Sequence, residues 1–510
     1  MTMQDASVLI LGLGDSGLAM ARWCARQGAR VRVWDSREPP PHAETLVREW
    51  PGVQLFGAAL GGEALGDATL VLKSPGLSPY DERIAPLLLE ARTKGVPVQG
   101  ELDCFVRALA ALKAARGYAP RLVAITGTNG KTTTTAMTAL LVERTGKSVG
   151  LAGNIGPTLL DTLAAAEAED KLPEVWVMEL SSFQLEGGGR GVEGFEPDAA
   201  AVLNVTQDHL DWHGSMETYA RAKARVYGQR ALMVVNRDDP RVEAMVPQPP
   251  PPPAKGKAPK FMPRQVLRFG LDAPQRPGDF GLVVEGGMAW LVRALPDEDA
   301  GTNKRGNEAE IHLQRLMPAD ALRVRGRHNA ANALAALALA SAIGCPLAPM
   351  LHGLREYDGE PHRVQFVARV GEVEAYDDSK GTNVGATVAA LEGLGADKAP
   401  ARIVIILGGD GKGQDFAPLA ASCARHARAV ATLGRDAETI EAALAGTGVP
   451  LQRHATLEAA TAWCFAQARP GDAVLLSPAC ASLDMFRNYA HRADVFVQAV
   501  QELTAERGQA

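Results

Sequence analysis

The run Ser7–Leu11 (SVLIL) is apolar throughout. The glycine-rich turn GLGDSG follows it, then Leu18–Gln27 with helical composition, then a second apolar run at Val31–Trp34. That order is the signature of a strand–turn–helix–strand unit. Further strand-like runs stand at Thr69–Leu72 and Val96–Gln99, and a polar stretch with Gly and Pro, Lys113–Pro120, breaks the pattern. It restarts with the strand Leu122–Thr126, a small-residue loop and the helix Thr132–Arg144. Strand-like Val175–Leu180 and Ala200–Val205 come next, and Arg327–Ile343 is strongly helical by its Ala and Leu content. After a second break near Tyr357–Pro361 the alternation returns: Val373–Tyr376, the helix Val384–Leu394, Ile403–Leu407, Val430–Leu433 and Ala473–Leu476. The chain reads as three α/β sections, 1–115, 116–356 and 357–510, with parallel sheets expected throughout.

Two stretches do not join this pattern. Pro247–Lys260 (PQPPPPPAKGKAPK) cannot enter a helix or a sheet interior. It reads as an exposed surface insertion in preference to a proline-rich docking ligand. Pro296–Glu308 is a second, polar insertion.

Composition narrows the class. At roughly 100–200 residues per domain, 510 residues accommodate three domains, and 46% hydrophobic residues allow each a core. Only 5% of residues are aromatic, which favours Val/Leu strands and Ala/Leu helices over an aromatic-rich sandwich. A net charge of −6 without a basic block excludes nucleic acid as the expected partner. Cys24, Cys104, Cys345, Cys423, Cys464 and Cys480 form no CxxC pair, so reduced thiols are expected and not a disulfide frame or a zinc site. No signal-like n-region and no bilayer-length apolar run occurs, so the expectation is a cytoplasmic protein without membrane insertion.

The candidate chemistry sits on loops at strand ends. Gly12-Leu13-Gly14-Asp15-Ser16-Gly17, with Asp35 closing the next strand, is a dinucleotide fingerprint. Its glycines let backbone N–H groups approach a diphosphate at a helix N-terminus. Taken alone it makes NAD the default, although a UDP-sugar offers the same diphosphate. Thr126-Gly127-Thr128-Asn129-Gly130-Lys131-Thr132 resembles a P-loop that lacks one glycine, at Ile125. Its N–H groups and Lys131 suit the phosphates of ATP, and the Thr132 hydroxyl suits Mg²⁺. Glu179 ends a strand, where a carboxylate beside a P-loop holds Mg²⁺; a solvated strand-end Glu is the plain alternative. Asp208-His209-Leu210-Asp211-Trp212-His213 is rich in ligating side chains, but neither Cys nor HExxH-type spacing supports zinc. A place near Mg²⁺ suits it better. Lys223, on a predicted helix with Tyr219, reads by itself as a solvated helix-face lysine. Asp378–Asn383, Gly408–Gly413 and Ser477–Ser482 each follow a strand of the third section, where open α/β sheets bind ligands.

GTNGKTT, NVTQDHLDWH, GRHNAANALAA and YDDSKGTN, spread over most of the chain, resemble the Mur ligase family, which joins amino acids to UDP-muramoyl precursors. Within it, ELSSFQLE, GGDGKGQDF and LSPACASLDMFRNY look like the D-glutamate-adding member. The resemblance implies a Rossmann-like UDP-binding domain, a central P-loop-type ATPase domain and a C-terminal Rossmann-like domain. It implies ATP, two Mg²⁺ ions, UDP-N-acetylmuramoyl-L-alanine and D-glutamate as ligands; a monomer is expected. Gly14, Asp15, Ser16, Gly17, Asp35, Ser36, Arg37, Ser74, Pro75 and Gly76 would hold the UDP group, with Asn154 facing the sugar-diphosphate region. Gly127, Thr128, Asn129, Gly130, Lys131, Thr132, Thr133, Asn332, Arg363 and Asp378 would bind ATP. Lys131, Glu179, His209 and Lys223 would be catalytic, with Thr132, Glu179, His209 and a carbamate on Lys223 around the metals. The resemblance thereby replaces the solvated reading of Lys223. Lys380, Thr382, Lys412, Ser482 and Tyr489 would approach D-glutamate; the family commonly has Phe where Tyr489 stands, so its hydroxyl has no implied role. An NAD-dependent oxidoreductase would leave GTNGKTT and Glu179 unexplained. Another ligase of the family is the nearer rival, but no Asp-Asn-Pro-Arg stretch, which resembles a diaminopimelate-selecting motif, occurs.

Overall fold

The computed structural model describes residues 3–57, 60, 64–189, 191–250, 261–296, 311–324 and 326–508. Most of both proposed insertions, 251–260 and 297–310, lies outside the described residues.

The architecture is mixed α/β, built on three sheets. The first has five strands in the order Gln54–Phe56, Arg30–Trp34, Ser7–Leu11, Leu70–Lys73, Val98–Gln99, all parallel. Val8, Leu9, Ile10 and Leu11 are buried on both faces of the sheet, which is why this strand reads as a continuous apolar run without alternation.

The second sheet has nine strands. Its parallel part runs Val149–Gly153, Val175–Glu179, Arg121–Thr126, Ala199–Val202, Leu232–Asn236, Val266–Phe269 and Phe280–Glu285. Met288–Pro296 and Ile311–Pro318 then extend it antiparallel. The expectation of parallel sheets throughout is therefore corrected here. The two-residue turn Gly286-Gly287, both with positive φ, lets the chain reverse directly. The third sheet has six strands in the order Gln365–Val370, Val373–Asp377, Ala473–Leu476, Ile403–Gly408, Ala427–Leu433, Leu451–Arg453, and its first pair is also antiparallel.

The helix Arg327–Ala342 is buried from Asn332 to Ala340, so it is apolar on all sides instead of amphipathic. Its alanines permit close packing against the helix Lys131–Glu143 and the central strands. The helix Glu101–Arg116 runs into the expected break at Lys113–Pro120 and ends within it at Gly117, with φ 67°. It joins the first two sections: Phe105 meets Trp176 edge-on at 4.9 Å between ring centroids, inside one continuous apolar cluster. All six cysteines are unpaired and buried. No described helix is long and apolar enough to cross a membrane.

Candidate active site

Four neighbouring strands of the central sheet end side by side, at Val202, Thr126, Glu179 and Gly153. The loops leaving them form one wall of a cavity of about 460 Å³. Thr128–Thr133, Asn154, Glu179, Asp208 and His209 line it, and the facing wall carries Asn332, Arg363, Asp378, Lys380 and Thr382. The structure thus brings together most of the residues expected at ATP and metal, and it adds Asn154, expected at the sugar-diphosphate region.

Gly130 has φ 79°, and a Cβ there would lie 2.5 Å from Asn332 Oδ1, so the loop and the buried helix close on each other only at glycine. Lys131 folds back, its Nζ donating to the carbonyls of Gly127 (2.9 Å) and Thr128 (2.8 Å). Burial lowers its pKa, opposed by the charge of Glu179. Glu179 is 1% exposed. Its Oε1 accepts from Asn154 Nδ2 at 2.8 Å, while its buried Oε2 has no hydrogen-bond partner. An unpartnered carboxylate oxygen at the mouth of a phosphate loop suits a divalent cation.

His209, at φ 53°, caps the short helix Leu210–His213 and points Nε2 to 3.4 Å from Asp208 Oδ2. Burial, reinforced by Lys412, Lys131 and Lys223 against the pull of Asp208, brings its pKa down to about 4. At neutral pH the imidazole is uncharged and keeps a lone pair for a metal or a proton.

Lys223 corrects its solvated reading outright: it is 2% exposed. Its Nζ donates to the Gly127 carbonyl at 2.8 Å and lies 4.5 Å from the Tyr219 ring centroid. Burial and the neighbouring Lys131 push its pKa well down, favouring the neutral amine.

The third section meets this wall directly. Arg363 Nη2 donates to Thr132 Oγ1 at 2.7 Å, Asn383 Nδ2 to Asn129 Oδ1 at 2.9 Å, and Lys412 Nζ stands 3.9 Å from Asp208 Oδ1. Asp378 is buried and accepts from Ser477 Oγ at 2.6 Å; burial raises its pKa to about 7. The three strand-end loops are tied together. Ala479 N donates to Gly381 O, Gly408 N to Pro478 O, and Asp410 pairs with Ala481 in both directions. Ser482 is buried, and Lys380 Nζ donates to the Tyr489 hydroxyl at 3.2 Å, which gives that hydroxyl a partner the sequence did not.

The glycine turn near the N-terminus forms a separate place. A Cβ at Gly17 would collide with the Gly12 carbonyl, so strand and helix meet there only through glycine. Asp35 accepts from Leu13 N at 2.6 Å and from the Arg37 backbone N and Nε, both at 2.9 Å. Burial works to raise its pKa, but Arg37 and these N–H groups outweigh it and hold it at about 2. Ser74 Oγ donates to Gly12 O at 3.0 Å, bringing Ser74-Pro75-Gly76 alongside, and the exposed Asp15 meets His42 at 2.9 Å. Ser36 and Gly76 are exposed beside it.

This arrangement matches known proteins along its length. Residues 6–100 match "Mur ligase MurD-like, N-terminal domain", 125–253 "Mur ligase middle domain" and 362–480 "Mur ligase, glutamate ligase domain". A UDP-N-acetylmuramoylalanine–D-glutamate ligase of Albidiferax ferrireducens is 59% identical over 510 residues, covering 100% of this chain and 98% of the relative. The chain belongs to the Mur ligase family. A protein of the same name from Burkholderia pseudomallei is 57% identical, covering 99% of this chain and 98% of the relative. Among solved structures, the UDP-N-acetylmuramate–alanine ligase of Thermotoga maritima is 20% identical with a TM-score of 0.56, covering 97% of this chain and 99% of its own. The MurF ligase of Thermotoga maritima in complex with ADP is 16% identical with a TM-score of 0.55, covering 99% and 95%. These two likenesses establish the shared fold.

Sequence reasoning missed one residue that organises this Mur ligase site. Arg492, three residues beyond Tyr489, is 1% exposed. Its Nε donates to Ser379 Oγ (3.0 Å), Nη2 to Ser379 O (2.7 Å) and Nη1 to Cys480 O (3.1 Å). One guanidinium thus pins two of the three loops. Only its closeness to LSPACASLDMFRNY hinted at this; nothing local distinguishes a buried arginine from a surface one.

Proposed function

We infer that this Mur ligase joins D-glutamate to UDP-N-acetylmuramoyl-L-alanine through an amide bond, consuming ATP, in peptidoglycan precursor synthesis. The observation that carries this reading is the meeting of the P-loop, Glu179 and His209 with Arg363, Lys380 and Thr382 around one cavity. The full-length likeness to relatives named for this reaction supports the choice of amino acid.

The L-alanine carboxylate of the UDP-substrate attacks the γ-phosphorus of ATP, giving an acyl phosphate and ADP. The ammonium of D-glutamate loses a proton to the neutral imidazole of His209, the amine attacks the activated carbonyl, and the tetrahedral adduct collapses with loss of phosphate, which carries away the second proton shed by the nitrogen. The N–H groups of Gly127–Thr133 cradle the ATP phosphates, and Lys131 swings from the Gly127 and Thr128 carbonyls onto the transferring group. Arg363 adds charge from the opposite wall, and Asn332 and Asp378 hold the nucleoside. Thr132, Glu179, His209 and a carbamate on Lys223 would hold two Mg²⁺ ions, which would supply further neutralisation of phosphate charge. A carbamate fits Lys223 because the neutral amine its surroundings favour is the form that adds CO₂. The turns at Gly14–Gly17, Asp35–Arg37 and Ser74–Gly76 grip UDP, which leaves the peptide end free to reach the cavity.

D-glutamate brings two carboxylates and one ammonium. Lys412 and Thr382 take its side-chain carboxylate, Ser482 and the segment before Tyr489 its α-carboxylate, and Lys380 adds positive field. The test is steady-state kinetics on Lys412→Ala. The Michaelis constant for D-glutamate rises far more than that for ATP; an effect on ATP alone would refute this pocket.

A further inference from the structure

Lys73 has no part in the chemistry above, yet it is 4% exposed at the C-terminal end of the strand Leu70–Lys73. Among the described residues it forms no ion pair with a carboxylate; Glu186 acts on it only at a distance and is itself bridged to Arg225. A buried ammonium without a counter-ion is costly to fold around, so its place needs a reason.

Its contacts supply one. Nζ donates to Leu77 O at 2.7 Å and to Ser74 O at 3.2 Å, spanning the loop that holds Ser74, Pro75 and Gly76. The same loop is fastened on its other side to the glycine turn, Ser74 Oγ to Gly12 O and Ser74 N to Leu11 O. Nζ also lies 5.7 Å from the Trp212 ring centroid, which belongs to the other section of the chain. Trp212 packs on Phe183 at 4.8 Å, and Phe183 packs edge-on against His209 at 4.8 Å. An ammonium has three donors. Here two close the loop, and the charge faces an aromatic ring leading to the cavity.

We propose that Lys73 is a positioning residue for the UDP-substrate: it sets the shape of the Ser74–Leu77 loop and couples that loop, through Trp212 and Phe183, to the His209 segment. The proposal rests on reading Ser74–Gly76 as part of the UDP-substrate site. Because the cation acts through the loop, its loss weakens capture of the UDP-substrate and leaves the ATP and D-glutamate sites intact.

The experiment compares the full-length wild type with Lys73→Met, which keeps length but removes charge and donors, and with Lys73→Arg. Wild-type turnover of UDP-N-acetylmuramoyl-L-alanine with D-glutamate and ATP tests the underlying reading first. Given that turnover, Lys73→Met raises the Michaelis constant for the UDP-substrate at least ~10-fold, equivalent to about 1.4 kcal/mol. The constants for ATP and D-glutamate stay within about twofold, and Lys73→Arg recovers part of the loss. An unchanged constant for the UDP-substrate, or an equal rise in all three, overturns the proposal. A second measurement does not depend on the variants at Lys73 folding. Titrating wild type with the UDP-substrate, without ATP, shifts tryptophan emission, and Trp212→Phe abolishes the shift; no shift in wild type, or an undiminished one in Trp212→Phe, overturns the coupling.

Discussion

Two buried lysines, Lys131 and Lys223, bond the same phosphate loop; burial lowers the affinity of both for a proton, and the charge of Lys131 lowers that of Lys223 further. They differ in placement: Lys131 bonds the Gly127 and Thr128 carbonyls and lines the cavity, whereas Lys223 bonds the Gly127 carbonyl alone. Lys131→Ala removes a charge that opposes the developing phosphate charge, so turnover falls at least ~10²-fold; single-turnover phosphate release measures it, and near-normal release in a folded variant contradicts the assignment. Lys223→Ala is inactive, and short-chain carboxylates restore part of the activity by standing where the carbamate stood. Unmodified Lys223 detected by mass in active enzyme contradicts that account. The sequence misled on Lys223 for a physical reason. METYARAKA carries four charged or polar residues with no large apolar stripe, but Tyr219, Ala222 and Lys223, at i, i+3 and i+4, form the stripe that faces inward. By contrast Lys131 and Glu179 were legible, because a phosphate loop and a strand-end carboxylate are local patterns.

At the scale of elements, the site depends on how helices hold loops. The final helix, Tyr489–Gly508, presents Arg492 to Ser379 and Cys480. Arg492→Lys loses the three-way fork, since an ammonium cannot match a planar guanidinium. The Michaelis constant for D-glutamate therefore rises at least ~10-fold, and that for the UDP-substrate does not; parallel kinetics on both substrates checks the split. Glu101, at the start of the helix Glu101–Arg116, accepts from Leu160 N at 3.1 Å, the N–H of a helix in the central section. Burial raises its pKa from 4.5 to about 7. A carboxyl with a raised folded pKa binds more protons folded than unfolded, so its contribution is fully present below pH ~4.3 and is lost as pH rises toward 7. Between pH 5 and 8, wild type therefore loses on the order of 1–3 kcal/mol relative to Glu101→Gln; thermal unfolding of both across that range tests it, and parallel curves contradict it. Many strands that stood as continuous apolar runs were legible to within about three residues, as at Ala473–Leu476, but the runs at Leu232–Asn236 and Phe280–Glu285 were missed. Those at Met288–Pro296 and Ile311–Pro318 were missed too: they lie at the edge of the sheet on either side of a polar segment, and Ile311–Pro318 alternates polar His312 and Gln314 with apolar residues.

Over the whole molecule, the first two sections share one apolar cluster, from Val8 and Phe105 to Trp176 and Val235. The third meets them mainly through polar contacts at the cavity: Arg363 to Thr132, Asn383 to Asn129, Lys412 toward Asp208. The interface that carries the chemistry thus holds polar contacts, as expected where substrates must enter and products leave. That division was partly legible. The three alternating stretches marked three sheets, whereas the fusion of the first two cores depends on contacts between residues far apart in the chain, such as Phe105 with Trp176. Together these sections assemble a site that activates one carboxylate with ATP and accepts one amino acid, D-glutamate. Its most direct test is ATP-dependent phosphate release by the purified chain with UDP-N-acetylmuramoyl-L-alanine and a panel of D- and L-amino acids. Release above background that requires both the UDP-substrate and D-glutamate is the predicted result; equal release with L-glutamate or diaminopimelate, or none with D-glutamate, would contradict it.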